Sequence, residues 1–378
     1  MSQMTTSPNT SIPNYIFIFL LEERMNKYVK RYLIDALGGM AQGLFASLLV
    51  GTIVKTLGQL LLKINVNPVF QFFVDAGNFA GDAHVVGAAM AVAIGHAMGA
   101  PALVLFSLAA VGSACNVLGK AGGPLAVLVI AIIACELGNL VSKKTKVDIL
   151  VTPLVTLLSG ALLAVLTAKW IGLAASSIGS FIVWSTKLHP FVMGIIVSVV
   201  MGMVLTLPIS SAAICAAFGL VGLAGGAAVA GCSANMIGFA VMSFYENRWG
   251  GLVSQGLGTS MLQMPNIVKN PRIWLPVILT SAITGPISTC LFKLEMNGAA
   301  VSSGMGTCGF VGQIGMITGW YDPSEAALLH GAAAITPGVR EWVGLILISF
   351  VLPAVLSWAF GLLFRKLGWI KEGDLTLE

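Results

Sequence analysis

The sequence predicts an all-α integral membrane protein, and three observations carry that reading. Only 9% of the 378 residues are charged and mean hydropathy is +0.93, whereas about a quarter of a soluble domain is charged. No charged residue occurs from Pro190 to Tyr245, nor from Trp249 to Val268. Both runs are crowded with glycine and helix-breaking residues, a pattern of interrupted backbone at membrane depth.

Residues 1–24 read as an N-terminal extension. Thr5–Asn14 is polar, and Tyr15–Leu21 is apolar but shorter than the ~20 residues a crossing needs. Either Met25 is the natural initiator, or this stretch is an interfacial segment. Lys27, Lys30 and Arg31 place the following chain start in the cytoplasm by the positive-inside rule. Residues 25–189 form a transmembrane scaffold. Spans are expected at Ala41–Leu62, His84–Ala100, Pro101–Leu118, Ala126–Val141 and Ile149–Ile171. Lys55, inside the first, snorkels or faces protein. Residues 64–83 carry Pro68, Asp75, Asn78 and Asp82 and are expected to be broken. Gly119–Pro124 is a turn, and 172–188 suits an interfacial helix. Lys143-Lys144-Thr145-Lys146 is the strongest internal basic cluster, expected on the cytoplasmic side after four crossings.

Residues 190–370 form the second half. Pro190–Leu205 is a span, and Thr206-Leu207-Pro208-Ile209-Ser210-Ser211 interrupts the run behind it. A re-entrant hairpin is expected near 207–230, with a span over Ser233–Tyr245. A second hairpin is expected near 250–267, where Ser254-Gln255-Gly256-Leu257-Gly258 precedes Gln263-Met264-Pro265-Asn266. Trp274–Phe292 and Trp342–Phe364 are further spans. Residues 297–318 and 322–337 are mixed and weakly hydrophobic. Arg365-Lys366 and the tail 371–378 are expected in the cytoplasm. About ten crossings in all satisfy both ends. Non-helical backbone survives in a bilayer only where protein or a wet cavity satisfies it, and paired broken segments point to a transporter's binding site.

The composition excludes several classes. The net charge of +5 is dispersed, so nucleic acid is not an expected partner. Six cysteines include no pair at CxxC spacing, so neither a zinc nor a redox motif is present, and the residues imply no metal or cofactor. Gln255, Gln263 and Asn266 offer donors and acceptors to a small polar solute. They are equally suited to satisfying the backbone of their own hairpin. Ser210, Ser211 and Asn235 carry the same two readings. His96 either meets solute or a proton, or bonds to backbone. Asp75, Asp82 and His84 make the densest polar cluster of the first half, an outer loop or a proton or cation site. Glu136, two turns before Lys143, is either interfacial or ion-coupling.

The stretch Gly123-Pro124, Glu136-Leu137-Gly138-Asn139, Lys143-Lys144 and Thr152-Pro153-Leu154 resembles the membrane IIC component of the bacterial sugar phosphotransferase system. The match is to the branch that includes the regulator of perfringolysin-type toxin expression. Asn270-Pro271-Arg272 and the helix behind it are similar to an Asp-Pro-Leu-Arg segment of that family. The resemblance runs from about Asp35 to Trp320 and implies about ten transmembrane helices with two re-entrant hairpins. It also implies a homodimer in the cytoplasmic membrane, a polar-solute site between hairpins and helices, and separate phosphocarrier subunits. Sugar-phosphorylating members carry an acidic residue in a Thr-Glu-Gly-Ala-Ile-Pro-Phe type motif. The aligned stretch is Thr259-Ser260-Met261-Leu262-Gln263-Met264-Pro265-Asn266, and no carboxylate lies between Trp249 and Asn270. A glutamine cannot serve as the base that phosphoryl transfer to a hydroxyl calls for.

The reading is therefore a transporter of a small, sugar-like solute that does not phosphorylate it. The alternatives are a membrane sensor or regulator on the same scaffold, and a phosphotransferase permease that draws its acid from Asp75, Asp82 or Glu136.

Overall fold

The computed structural model describes residues 27–377; the N-terminal extension lies outside the described residues. Apart from one isolated bridge between Gly222 and Met296, no strand occurs among them. Six helical stretches are long and apolar enough to cross a membrane, and two shorter apolar helices accompany them.

Helix α1, Lys27–Leu62, has 36 residues, about 54 Å at 1.5 Å per residue. The chain returns along it in two pieces, α2 (Pro68–Ala80) and α3 (Ala83–Ala97). Gly39, Gly43, Gly51 and Gly58 of α1 face Ala93, Ala89, Gly77 and Val74 so closely that a Cβ would meet backbone. Small residues let helices approach in this way where the bilayer gives no hydrophobic drive. The break expected over 64–83 is much smaller than the sequence reading. Asn67 caps α2 with Pro68 at its first position, where proline is well suited. Only Gly81 and Asp82 interrupt the return, and the Asp82 side chain accepts from His84 N at 2.8 Å to start α3.

Helices α4 (Ala102–Gly119) and α5 (Gly123–Val141) form a tight antiparallel pair. Between them Lys120 takes φ 48° and ψ −119°. Helix α6, Asp148–Ser185, is continuous over 38 residues. This corrects the expected span 149–171 followed by a separate interfacial helix at 172–188. Its π-helical turn at Ala164–Ala168 keeps right-handed helical backbone at both ends. Gly172 does not break it, because its lack of a side chain is used for close packing on the Gly119 carbonyl, 2.5 Å from where a Cβ would sit.

The second half winds around α9 (Gly222–Met242), in which 89% of the apolar window is buried. The chain reaches α9 through α7 (Pro190–Thr206) and the short α8 (Ser211–Phe218), with a break at 207–210. It leaves through α10 (Phe244–Val253), a π turn at Ser254–Gly258, an extended Thr259 and a 3-10 turn at Ser260–Gln263. Then come α11 (Met264–Lys269) and α12 (Pro271–Phe292). Residues 293–310 hold only the short α13 (Ala300–Ser303) and a 3-10 turn. Helices α14 (Val311–Tyr321), α15 (Glu325–Leu329) and α16 (Val339–Lys366) complete the bundle. Gly231 of α9 abuts the Ser198 carbonyl of α7, and Gly238 abuts Ser357 of α16.

One end of the bundle gathers the charges. Arg31 pairs with Glu136 at 2.7 Å and Arg365 with Glu246 at 2.6 Å. Glu136 thus ties α5 to α1 rather than to the Lys143 cluster.

Candidate functional site

Three interrupted segments converge beside α9, and side chains satisfy their loose backbone. The break after α7 meets the second one directly: Thr206 Oγ1 lies 2.8 Å from Ser260 Oγ. Thr206 Oγ1 and Trp274 Nε1 both donate to Asn235 Oδ1, at 3.2 Å each. Asn235 Nδ2 donates to Ser281 Oγ at 3.1 Å and to the Gly231 carbonyl at 3.2 Å. Asn235 is fully buried and works as a junction between the segments. The third interrupted segment, 293–310, escaped the sequence reading. Ser211 Oγ donates to the Gly304 carbonyl and Ser303 Oγ to the Leu220 carbonyl, both at 2.6 Å. Gly222 and Met296 exchange both backbone hydrogen bonds at 3.0 Å. Thr307 Oγ1 closes the set on the Gly256 carbonyl at 2.5 Å.

The expected site residues fall in different places. Ser210 and Ser211 line a cavity of about 60 Å³ with Leu48, Leu205, Ile209 and Met305. That space suits a few waters rather than a solute. Ser210 Oγ accepts from Ala213 N and caps α8.

Gln255, Gln263 and Asn266 form a directed relay. Gln255 Nε2 donates to Ser243 Oγ at 2.7 Å and to the Gly251 carbonyl at 3.0 Å. Gln263 Nε2 donates to Gln255 Oε1 at 2.8 Å, and Asn266 Nδ2 to Gln263 Oε1 at 2.9 Å. The remaining protons of Gln263 and Asn266 go to the carbonyls of Leu375 and Thr376, at 3.0 and 2.8 Å. Gln255 does satisfy its own segment's backbone, but Gln263 and Asn266 serve the chain's last described residues.

Asn266 also lines a pocket of about 270 Å³ that His96 shares. Helix α1 contributes Asp35, Gly38, Gly39 and Gln42 to it, α3 contributes Ala93 and Ala97, and Leu262 and Pro265 come from the second broken segment. Asp35, Gly38, Gly39 and Gln42 follow helical spacing on one face of α1. Asp35 lies ahead of the span expected from Ala41, and Gln42, inside that span, is a single amide among small and apolar neighbours. Extending it inward makes Asp35 an ionisable residue in a spanning helix, which is a functional signal by default.

The remaining candidates lie apart. Asp75 and Asp82 border an open groove with Asn78, Phe79 and Val85. Gln71 Nε2 donates to Asp75 at 2.9 Å, and Asp82 is the cap of α3. The cluster is helical rather than an outer loop. His84 Nδ1 lies 2.8 Å from Ser113 Oγ. Among the described residues no group of histidine, cysteine or acidic side chains is arranged to hold a metal.

A polytopic helical bundle, with interrupted helices at its centre and a polar pocket beside them, has the build of a membrane permease. Residues 34–377 match the family described as phosphotransferase system, EIIC, and the chain belongs to that family. No curated protein matches the sequence. Membership makes the chain a multi-pass sugar-transport component of the bacterial inner membrane, whose partners are IIA and IIB components.

Proposed function

We propose that the chain carries a neutral, sugar-like solute through the pocket lined by Asp35, Gln42, His96 and Asn266, and releases it unphosphorylated. The pocket itself carries this reading: it is where a carboxylate, an imidazole and two amides from α1, α3 and the second broken segment converge. Mixed donors and acceptors on a small apolar wall are what a polyhydroxyl ligand exchanges for its hydration. The absence of phosphoryl transfer rests on the second broken segment, where no carboxylate lies between Trp249 and Asn270 and Gln263, which cannot act as a base, is fully buried in an amide relay. About ten crossings with two re-entrant hairpins, a homodimer, and both charged termini in the cytoplasm complete the proposal.

One observation favours a second reading. Asp35 brings a carboxylate to the second broken segment from outside it, and with His96 it supplies the acid–base pair that the motif lacks. The test is uptake of radiolabelled hexoses and disaccharides by proteoliposomes, with and without phosphorylated IIA and IIB components. Free sugar inside in both cases supports the first reading. Sugar phosphate that disappears in Asp35→Asn supports the second.

A further inference from the structure

The residues after α16 do not leave the protein. The chain turns at Gly368 (φ 72°) and lies over the second broken segment. Four amide side chains in and flanking that segment hold it. Asn270 Nδ2 donates to the Trp369 carbonyl at 2.9 Å and to the Asp374 carboxylate at 2.8 Å. Asn247 grips on both edges, donating to the Leu375 carbonyl and accepting from Leu377 N, each at 2.8 Å. Gln263 and Asn266 take the Leu375 and Thr376 carbonyls. Ile370 and Leu375 anchor the segment at 2% and 0% exposure. Residues 371–376 fold into two successive turns, Asp374 N donating to the Lys371 carbonyl and Thr376 N to the Gly373 carbonyl, each at 3.2 Å.

We propose that the amides around the second broken segment form a cradle for the chain's own C-terminal turns, and that residues 369–377 occupy it as a strap across one side of the solute pocket. Thr376 and Leu377 line the 270 Å³ pocket together with Asp35 and His96. The strap also consumes one amide proton each of Gln263 and Asn266. A solute in the pocket reaches the Asn266 proton only when the strap lifts, so strap and solute compete for that donor. The inference rests on the pocket being the solute site, but its test reads the strap without any solute.

Ala97 lines the pocket and is exposed, so Ala97→Cys reports access. The native Cys290, the one exposed cysteine among the described residues, is replaced by serine. Alkylation of Ala97→Cys by a water-soluble maleimide is then followed in the full chain and in a chain ending at Gly368. Loss of the strap is expected to speed alkylation roughly tenfold, a modest shift in the open population. A synthetic peptide of residues 369–377 added to the shortened chain is expected to slow it again. Asn247→Ala removes two strap contacts and leaves the glutamine relay intact, and is expected to accelerate alkylation by a smaller step if the shortened chain does not fold. Equal rates in the full chain and the folded variants overturn the proposal, as does an acceleration that the peptide fails to reverse.

Discussion

Gln263 sits where three amides and a backbone carbonyl meet, with no exposure to solvent. Replacing it with leucine keeps its size and strands Gln255 Oε1 and one proton of Asn266. Each buried group left unpaired costs about 1–3 kcal/mol. Gln263→Leu is therefore expected to lower the melting temperature of the detergent-solubilised protein by several degrees; an unchanged melting curve would mean the relay is dispensable. Gly231 makes the opposite demand. It packs against the Ser198 carbonyl with no room for a methyl group, and a core this dense does not yield cheaply. Gly231→Ala is expected to abolish the monodisperse peak in size-exclusion chromatography, while Gly250→Ala, at a position with open space, leaves it unchanged.

Elements differ in how they bend, and the sequence reveals the bends unevenly. The turn between α4 and α5 was legible from Gly119-Lys120-Ala121-Gly122-Gly123, although its sharpest residue is the lysine. Lys120 adopts a backbone conformation essentially reserved for glycine, at a cost of about 1–3 kcal/mol. Lys120→Gly should raise the melting temperature; a fall would show that its side chain secures the turn. The breaks near 207–210 and 254–263 were legible because proline, serine and amides stand out in an uncharged run. The third, at 293–310, was not, because the stretch has no hydrophobic run for its breakers to interrupt. Its role emerges only from the reciprocal serine contacts with residues 211–220. The length of α6 was hidden for the converse reason: Gly172 looks like a terminator until Gly119 packs against it. The pocket was half legible. His96 and Asn266 stand out as polar residues at membrane depth, whereas Asp35 lies six residues ahead of the span expected from Ala41 and Gln42 is a single amide among small and apolar neighbours within it.

For the molecule as a whole, the spatial grouping of Arg31, Glu136, Arg365 and the strap at one end bears on topology. With the positive-inside rule, that end is expected to face the cytoplasm. Single cysteines at Lys144 and at Lys371 should react with an impermeant maleimide in inside-out vesicles and resist it in intact cells. Labelling from opposite sides would overturn the arrangement.

The claim on which everything else depends is that the solute sits between α1, α3 and the second broken segment. A cryo-electron microscopy map of the protein in nanodiscs, saturated with a sugar it is shown to bind, tests it most directly. Density within hydrogen-bonding reach of Asp35, His96 and Asn266, with residues 375–377 displaced, is the expected result. Density in the cavity beside Ser210 and Ser211, or in the groove of Asp75 and Asp82, with the Asp35 pocket empty, would contradict the account.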